Sequence, residues 1–162
     1  MRVPCIFGFA EKLSAAETFS VDLDDPIEIL QEFLRMTEKS TARLREKGLF
    51  AKTISIKVRF ADFSTINRSK TLALPIDSTH EIYEVVKSLY LALKIERARL
   101  RLVGVSLENL QEDSPEQLVL GAREKGWRDA QSGIDQAKAR FGQASVRPGR
   151  LIRLEDDKND AD

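Results

Sequence analysis

The sequence predicts an α+β fold of two layers, a four-stranded sheet with two helices on one face, followed by a C-terminal helical extension. Three observations predict it. Period-two runs, the mark of a strand with one buried and one wet face, occur at residues 15–23, on both sides of a break at Ser64-Thr65, and at residues 99–110. Two runs at helical spacing, each opened by a capping residue, separate them. The order strand, helix, strand, strand, helix, strand is that of helices layered on one face of a single sheet.

Residues 1–12 show no period. In the first strand Phe19, Val21 and Leu23 share one face, and Thr18, Ser20 and Asp22 the other. The first helix opens with Asp25 as N-cap and Pro26 at the first helical position, with Glu28 three residues after the cap. Leu30, Phe33, Leu34, Thr41 and Leu44 form its apolar stripe, and Gly48 is placed to end it.

The hairpin follows, at Lys52–Leu74. Ile54, Ile56, Val58 and Phe60 alternate with Ser55, Lys57 and Arg59, so the wet face is basic and hydroxylated. In the second run, Arg68 and Lys70 share the parity of Ile66, Leu72 and Leu74, and strict alternation would bury them. A bulge that re-aims them, or stems that run past the edge of the core, would resolve the conflict.

The second helix opens with a capping-box pair, Ser78 and Glu81, and carries Ile82, Val85, Val86, Leu89, Tyr90 and Leu93 at helical spacing. In the fourth strand Leu100 and Leu102 share one parity, and Val103, Val105 and Leu107 the other. That phase slip predicts a bulge beside Gly104. Beyond it come the polar stretch QEDSPE, the apolar cluster QLVLG and a last amphipathic helix at Trp127–Phe141. Ala130, Ile134, Ala137 and Phe141 are expected on its buried side, with Gly142 as the stop. The predicted organisation is an N-terminal segment at 1–12, a domain at 13–111, a linker at 112–125, a helix and extension at 126–152 and an acidic tail at 153–162, disordered by its composition.

At 162 residues, 42% hydrophobic and 32% charged, the chain can bury one ordinary core and carry an appendage. No apolar run approaches the roughly 18 residues of a bilayer span, which argues against a membrane-spanning role. The opening VPCIFGFA is short and lacks a clear cleavage site. Cys5 is the only cysteine, which excludes an internal disulfide and fits a reducing cytoplasm, the expected location.

The net charge of zero hides segregation. The first 28 residues carry six acids and two bases, and the last twelve five acids and two bases. Between Lys52 and Thr71 the balance reverses: Lys52, Lys57, Arg59, Arg68 and Lys70 face one acid, Asp62. With Arg97, Arg99 and Arg101 further on, this gathers positive charge on strands, a surface suited to a polyanion.

Catalytic constellations are missing from the pattern. Asp22, Asp24 and Asp25 sit at a strand–helix junction where Asp25 already caps a helix. His80 is the single histidine, in the first turn of a helix, and Cys5 has no histidine or basic cluster near it in the sequence. There is no Gly-rich phosphate loop, HExxH or spaced Cys/His set, so no catalytic or metal-binding residue is assigned.

The segments ETFSVDL, TISIKVRFADF, TINRSKTL and RLRLVGVSL, in this order around two helices, resemble the little finger domain of Y-family DNA polymerases, on the DNA polymerase IV branch. The resemblance covers roughly residues 11–111, and GWRDAQSGIDQAKARFG with VRPGRLI resembles the C-terminal ends of some bacterial members. It implies a domain that grips primer–template duplex during damage bypass. On this implication Lys57, Arg59, Arg68, Lys70, Arg99 and Arg101 supply charge to DNA phosphates. Ser55, Thr65, Asn67, Ser69 and Thr71 supply shorter hydrogen bonds.

Gln117, Leu118 and Leu120, with Val119 between them, match the family's Gln-Leu-x-Leu-Phe peptide for the bacterial sliding clamp, its beta subunit. Gly121 stands where many members have an aromatic, which removes one anchor. The family's palm, fingers and thumb match no positions, so the magnesium cofactor of its catalytic domain is not expected here, and the chain alone is expected not to polymerise DNA. Its start near the family's little finger suggests a domain fragment or a gene that lost its front. A monomer is expected. Two other readings stay open: an RNA-binding module of the same β-α-β-β-α-β order, and a protein adapter acting only through QLVLG.

Overall fold

The computed structural model describes residues 12–95, 99–112 and 125–149. In chain order the elements are β1 (Leu13–Leu23), α1 (Pro26–Glu46), β2 (Leu49–Phe60), β3 (Thr65–Ile76), α2 (Thr79–Leu91), β4 (Leu100–Glu112) and α3 (Lys125–Phe141). The predicted strand and helix order is the observed one.

The Asp25 carboxylate accepts from the Ile27 amide at 2.8 Å, satisfying one of the orphan donors of α1, and Pro26 follows where no amide is needed. At the other end Gly48 takes a left-handed φ of 65° and its amide donates to the Arg45 carbonyl. Ile29, Phe33, Met36, Thr37, Ser40 and Leu44 recur at three and four residues, forming the stripe that faces the sheet and α2.

For α2 the sequence predicts a capping box from Ser78 and Glu81; the structure bears out Ser78 as the N-cap residue but not its side-chain bond. Ser78 sits at the N-cap, but its hydroxyl makes no capping bond and is buried without a partner. The neighbouring Thr79 hydroxyl does the inter-element work, pairing with that of Thr41 at 2.7 Å and tying α2 to α1. The Tyr90 ring packs on Phe33 at 5.5 Å between centroids.

The sheet order is β1-β4-β2-β3, every neighbouring pair antiparallel. β1 and β2 therefore run in the same direction on either side of β4, and β3 is an edge. α1 lies over β1, β4 and β2, and α2 over β2 and β3, both on one face. Between helices and sheet, Ile54, Val58, Leu100, Val103, Val105 and Leu107 are fully buried with Phe33, Leu44, Ile82 and Val86. At about 25 cal/mol per Å2 of apolar surface, side chains of this size each contribute about 1.5–3 kcal/mol.

The expected bulge exists, but not at Gly104. That residue pairs without interruption with Lys57 on one side and Ala16 on the other. The register breaks where Leu100 faces Phe60 and Leu102 faces Arg59, leaving Arg101 as the extra residue. The cause is packing. Leu100 and Val103 are both buried, three positions apart, which a period of two cannot satisfy. The cheapest residue to spill out is the charged one. Leu102 consequently lies on the open face rather than with Leu100.

α3 docks on the helical layer. Arg45 of α1 grips Asp135 with two bonds, Nε to Oδ2 at 2.6 Å and Nη2 to Oδ1 at 3.1 Å. The same guanidinium donates to the Asp77 carbonyl at 2.9 Å. Lys138 pairs with Glu38. The expected apolar side of α3 is only partly buried: Ile134 and Ala137 turn inward, while Ala130 is exposed and Phe141 is 71% exposed under the Arg140 guanidinium. Ion pairs seat this helix where the periodicity pointed to an apolar stripe.

Candidate nucleic-acid interface

With both helices on one side, the other side of the sheet is open, and the register arranges it in rows. Ser14, Ser106, Ser55 and Ser69 stand in one row across all four strands. In the next, Gly104, Lys57 and Asn67 are partners, with Ala16 in register beyond Gly104. In the third, Leu102, Arg59 and Thr65 are partners. On the far side of the serine row stand Glu108, Thr53 and Thr71. Adjacent rows on a strand are two residues, about 6.6–6.8 Å, apart.

Lys57 is exposed in the middle of the face. Arg59 is half-buried and held in place by a bond from its Nε to the Thr65 hydroxyl at 3.1 Å. Gly104, the partner of Lys57, carries no side chain and is itself buried within the sheet. The Thr53 and Thr71 hydroxyls pair at 3.0 Å, and Thr53 also accepts from the Asn109 amide at 2.8 Å. Lys12 is paired with Glu108 at 2.7 Å, so that corner is neutralised.

At the β2–β3 end the charge rises again. The Ala61 amide donates to the Arg99 carbonyl at 3.0 Å, joining the turn to the start of β4, and both Arg99 and Arg101 are exposed. Asp62 is turned back on its own loop. Its carboxylate accepts from the Ser64 hydroxyl at 2.6 Å and the Ser64 amide at 2.9 Å, and these bonds, the hydroxyl's first, hold its pKa below the ordinary value.

Thus the structure brings together Ser55, Lys57, Arg59, Thr65, Asn67, Ser69, Thr71, Arg99 and Arg101. It sets Arg68 and Lys70 apart. They stand opposite Ile56 and Ile54, on the helix-side parity, with no bulge between Thr53 and Arg59 to re-aim them. Both are nevertheless exposed, because the helices leave that part of the edge strand uncovered. Gln117, Leu118, Val119 and Leu120 lie outside the described residues.

Ser14, Gly104 and Ser106 belong to the face but escape a reading of the sequence. Placing the phase slip at Gly104 instead of Arg101 hides the open-face parity of β4. The available signal is the charge of Arg101 between two leucines, since an arginine is far easier to expose than a leucine.

Elsewhere, two cavities of about 430 and 450 Å3 lie along α3, on the far side from the open face. Among the described residues no group of three or more His, Cys, Asp and Glu side chains gathers as a metal site, and no helix is long and apolar enough to cross a membrane. The open face is therefore a broad, shallow surface of hydroxyls, amides and cations. Such groups bond phosphate oxygens and do not read base edges.

The four-stranded antiparallel sheet with its helices on one face matches the fold of the little finger domains of Y-family DNA polymerases. The chain is similar to a solved structure, "Complex of beta-clamp processivity factor and little finger domain of PolIV", with a TM-score of 0.52 and 19% identity, covering 69% of this chain and 100% of that one. It is also similar to the "Insertion ternary complex of Dbh DNA polymerase", with a TM-score of 0.53 and 16% identity, covering 64% of this chain and 29% of that one.

The chain belongs to the impB/mucB/samB family, whose C-terminal domain its residues 10–120 match. Its relatives include proteins named DNA polymerase IV. That of Dehalococcoides mccartyi strain CBDB1 is 32% identical over 149 residues, 91% of this chain and 38% of that protein. That of Staphylococcus saprophyticus is 29% identical over 110 residues, 68% of this chain and 31% of that protein. The chain thus corresponds to about a third of the length of these relatives.

Proposed function

We propose that the open face of the sheet holds primer–template duplex by its phosphates during damage bypass, and that these 162 residues on their own bind DNA without extending it. One observation carries the reading. The register places Lys57, Arg59, Asn67, Ser55, Ser69 and Ser106 on one uncovered face, while the acid nearest the hairpin tip, Asp62, is occupied by Ser64. A face of this chemistry binds duplex with little sequence preference and with affinity that falls as salt rises. The insertion ternary complex of Dbh DNA polymerase, a protein that shares this fold over 29% of its chain, supports the same ligand class.

The RNA-binding alternative loses ground because that class stacks bases on aromatics in the middle of its sheet. Here those positions are Ser55, Lys57, Gly104 and Ser106. The test is duplex titration with Lys57→Gln/Arg59→Gln. Affinity should drop alike for all duplex sequences, and unchanged affinity would overturn the assignment.

Clamp recruitment is the second part of the proposal, with Leu118 and Leu120 filling an apolar pocket and Gln117 fixing the register of an extended peptide. It is supported by the place of QLVLG after the domain and by the complex that the similar PolIV little finger forms with the beta-clamp. Replacing Leu118 and Leu120 with Ala should remove capture by the bacterial clamp and spare DNA binding; capture retained in full would sink it.

A further inference from the structure

The tip of the β2–β3 hairpin carries an aromatic that the duplex grip does not use. Phe63 is 64% exposed and takes a φ of 67°, the left-handed region that L side chains rarely adopt. The turn is built to hold it there. The Phe63 amide donates to the Phe60 carbonyl at 3.0 Å, the Phe60 amide to the Ser64 carbonyl at 2.9 Å, and Asp62 clamps Ser64 from the other side.

The bulge in β4 sends Arg101 to meet it, with the guanidinium carbon 5.0 Å from the ring centroid. Arg99 lies one hydrogen bond away, through the Ala61 amide, and Arg59 and Thr65 form the adjoining row of the open face. An exposed aromatic in an unfavourable backbone conformation contributes little to the core. With the Arg101 guanidinium against it, and Arg59 on β2 and Arg99 at the start of β4, it presents a flat π surface in a positive field.

We propose that Phe63 and Arg101 form a stacking platform for an unpaired nucleobase, on a strand that continues past the duplex held by the open face. The proposal rests on the duplex-binding reading above. The base lies on the solvent-facing side of the Phe63 ring, Arg101 backs that ring, and Arg59 and Arg99 neutralise the flanking phosphates. Because every base has a π face, the platform discriminates paired from unpaired and not one base from another. The hydroxyls and cations of the open face handle the double-stranded part.

The test measures binding of the whole chain to three DNAs: a blunt duplex, the same duplex with a single-stranded overhang, and one whose overhang has abasic sites. Overhangs of both polarities are used. The abasic overhang adds the same phosphates without bases, so the difference between the two overhangs isolates stacking. Wild type should prefer the base-bearing overhang of one polarity by about five- to thirtyfold. Phe63→Ala and Phe63→Leu should lose that preference while binding blunt duplex as before, and Phe63→Tyr should keep it.

Phe63→Gly relieves the left-handed strain and keeps the test valid should Phe63→Ala fold poorly; it too should lose only the preference. If wild type shows no preference, or Phe63→Ala and Phe63→Gly retain it, or blunt-duplex binding falls equally, the platform is refuted. If no duplex binds at all, the failure belongs to the open-face reading instead.

Discussion

Neutralising Lys57 and Arg59 together tests whether the face, rather than the chain's basic residues in general, meets DNA. Four cations lie on or beside the open face: Lys57, Arg59, Arg99 and Arg101. Each phosphate neutralised contributes about −0.9 to the slope of log affinity against log salt, so four predict a slope of about −3.6. Between 50 and 200 mM salt that is a loss of about 150-fold in affinity. Lys57→Gln/Arg59→Gln should halve the slope to about −1.8, a loss of about twelvefold over the same range.

The control comes from the register. Arg68→Gln/Lys70→Gln removes the same charge from the same hairpin, but from the helix-side parity of β3. The geometry predicts a slope close to wild type. Fluorescence anisotropy of a labelled duplex across a salt series reads both. Equal flattening by the two double variants would refute the reasoning, because net charge and not the face would then govern binding. An unchanged slope in Lys57→Gln/Arg59→Gln would refute it from the other direction.

Two further outcomes follow from local geometry. Asp135→Ala breaks the two-bond grip on Arg45, whose side chain is only 14% exposed, while Asp135 is 37% exposed. Discounted for that partial solvation, the loss should be about 1–2 kcal/mol, read as amide exchange in α3 faster by about five- to thirtyfold with the sheet amides unchanged. Unaltered α3 exchange would show that the ion pair does not seat the helix. The Asp62 carboxyl, depressed by its bonds to Ser64, stabilises the turn above the unfolded carboxylate range, and that contribution is lost as pH falls through the folded value. A carboxyl titration by NMR should find its midpoint below that of an aspartate in an unstructured peptide, with the Ser64 amide shift moving in step; an ordinary midpoint contradicts the turn geometry.

The elements are legible where two local signals agree. Asp25, Pro26 and Gly48 delimit α1 chemically, and the alternation of residues 53–59 fixes which side of β2 is wet. What fails to show depends on neighbours distant in sequence. Whether Ser78 caps α2 through its side chain depends on how deeply α1 buries that corner. Arg68 and Lys70 look misplaced until β3 is known to be an edge that the helices leave uncovered. The seat of α3 is hidden because helical spacing marks apolar residues, while Arg45 and Glu38, some ninety to a hundred residues earlier, supply charges instead. Of the candidate face, the β2 and β3 residues can be read from one hairpin. The β4 contribution cannot, since its phase turns on the placement of one residue.

That residue, Arg101, links the core to both proposed binding surfaces. With Leu100 buried against Phe60, a regular strand would place residues 102, 104 and 106 inward, turning Leu102, Gly104 and Ser106 to the helices and Val103, Val105 and Leu107 to water. The core would exchange three fully buried aliphatic side chains for a leucine, a glycine and a serine, a loss on the order of several kcal/mol. Packing therefore selects the bulge strongly, without any reference to DNA. Yet the same extra residue turns Gly104 and Ser106 to the open face and carries a guanidinium to the Phe63 ring. Lys57 and Arg59 on β2 would bind phosphate in either register; the serine row across four strands and the platform at the hairpin tip exist only in this one.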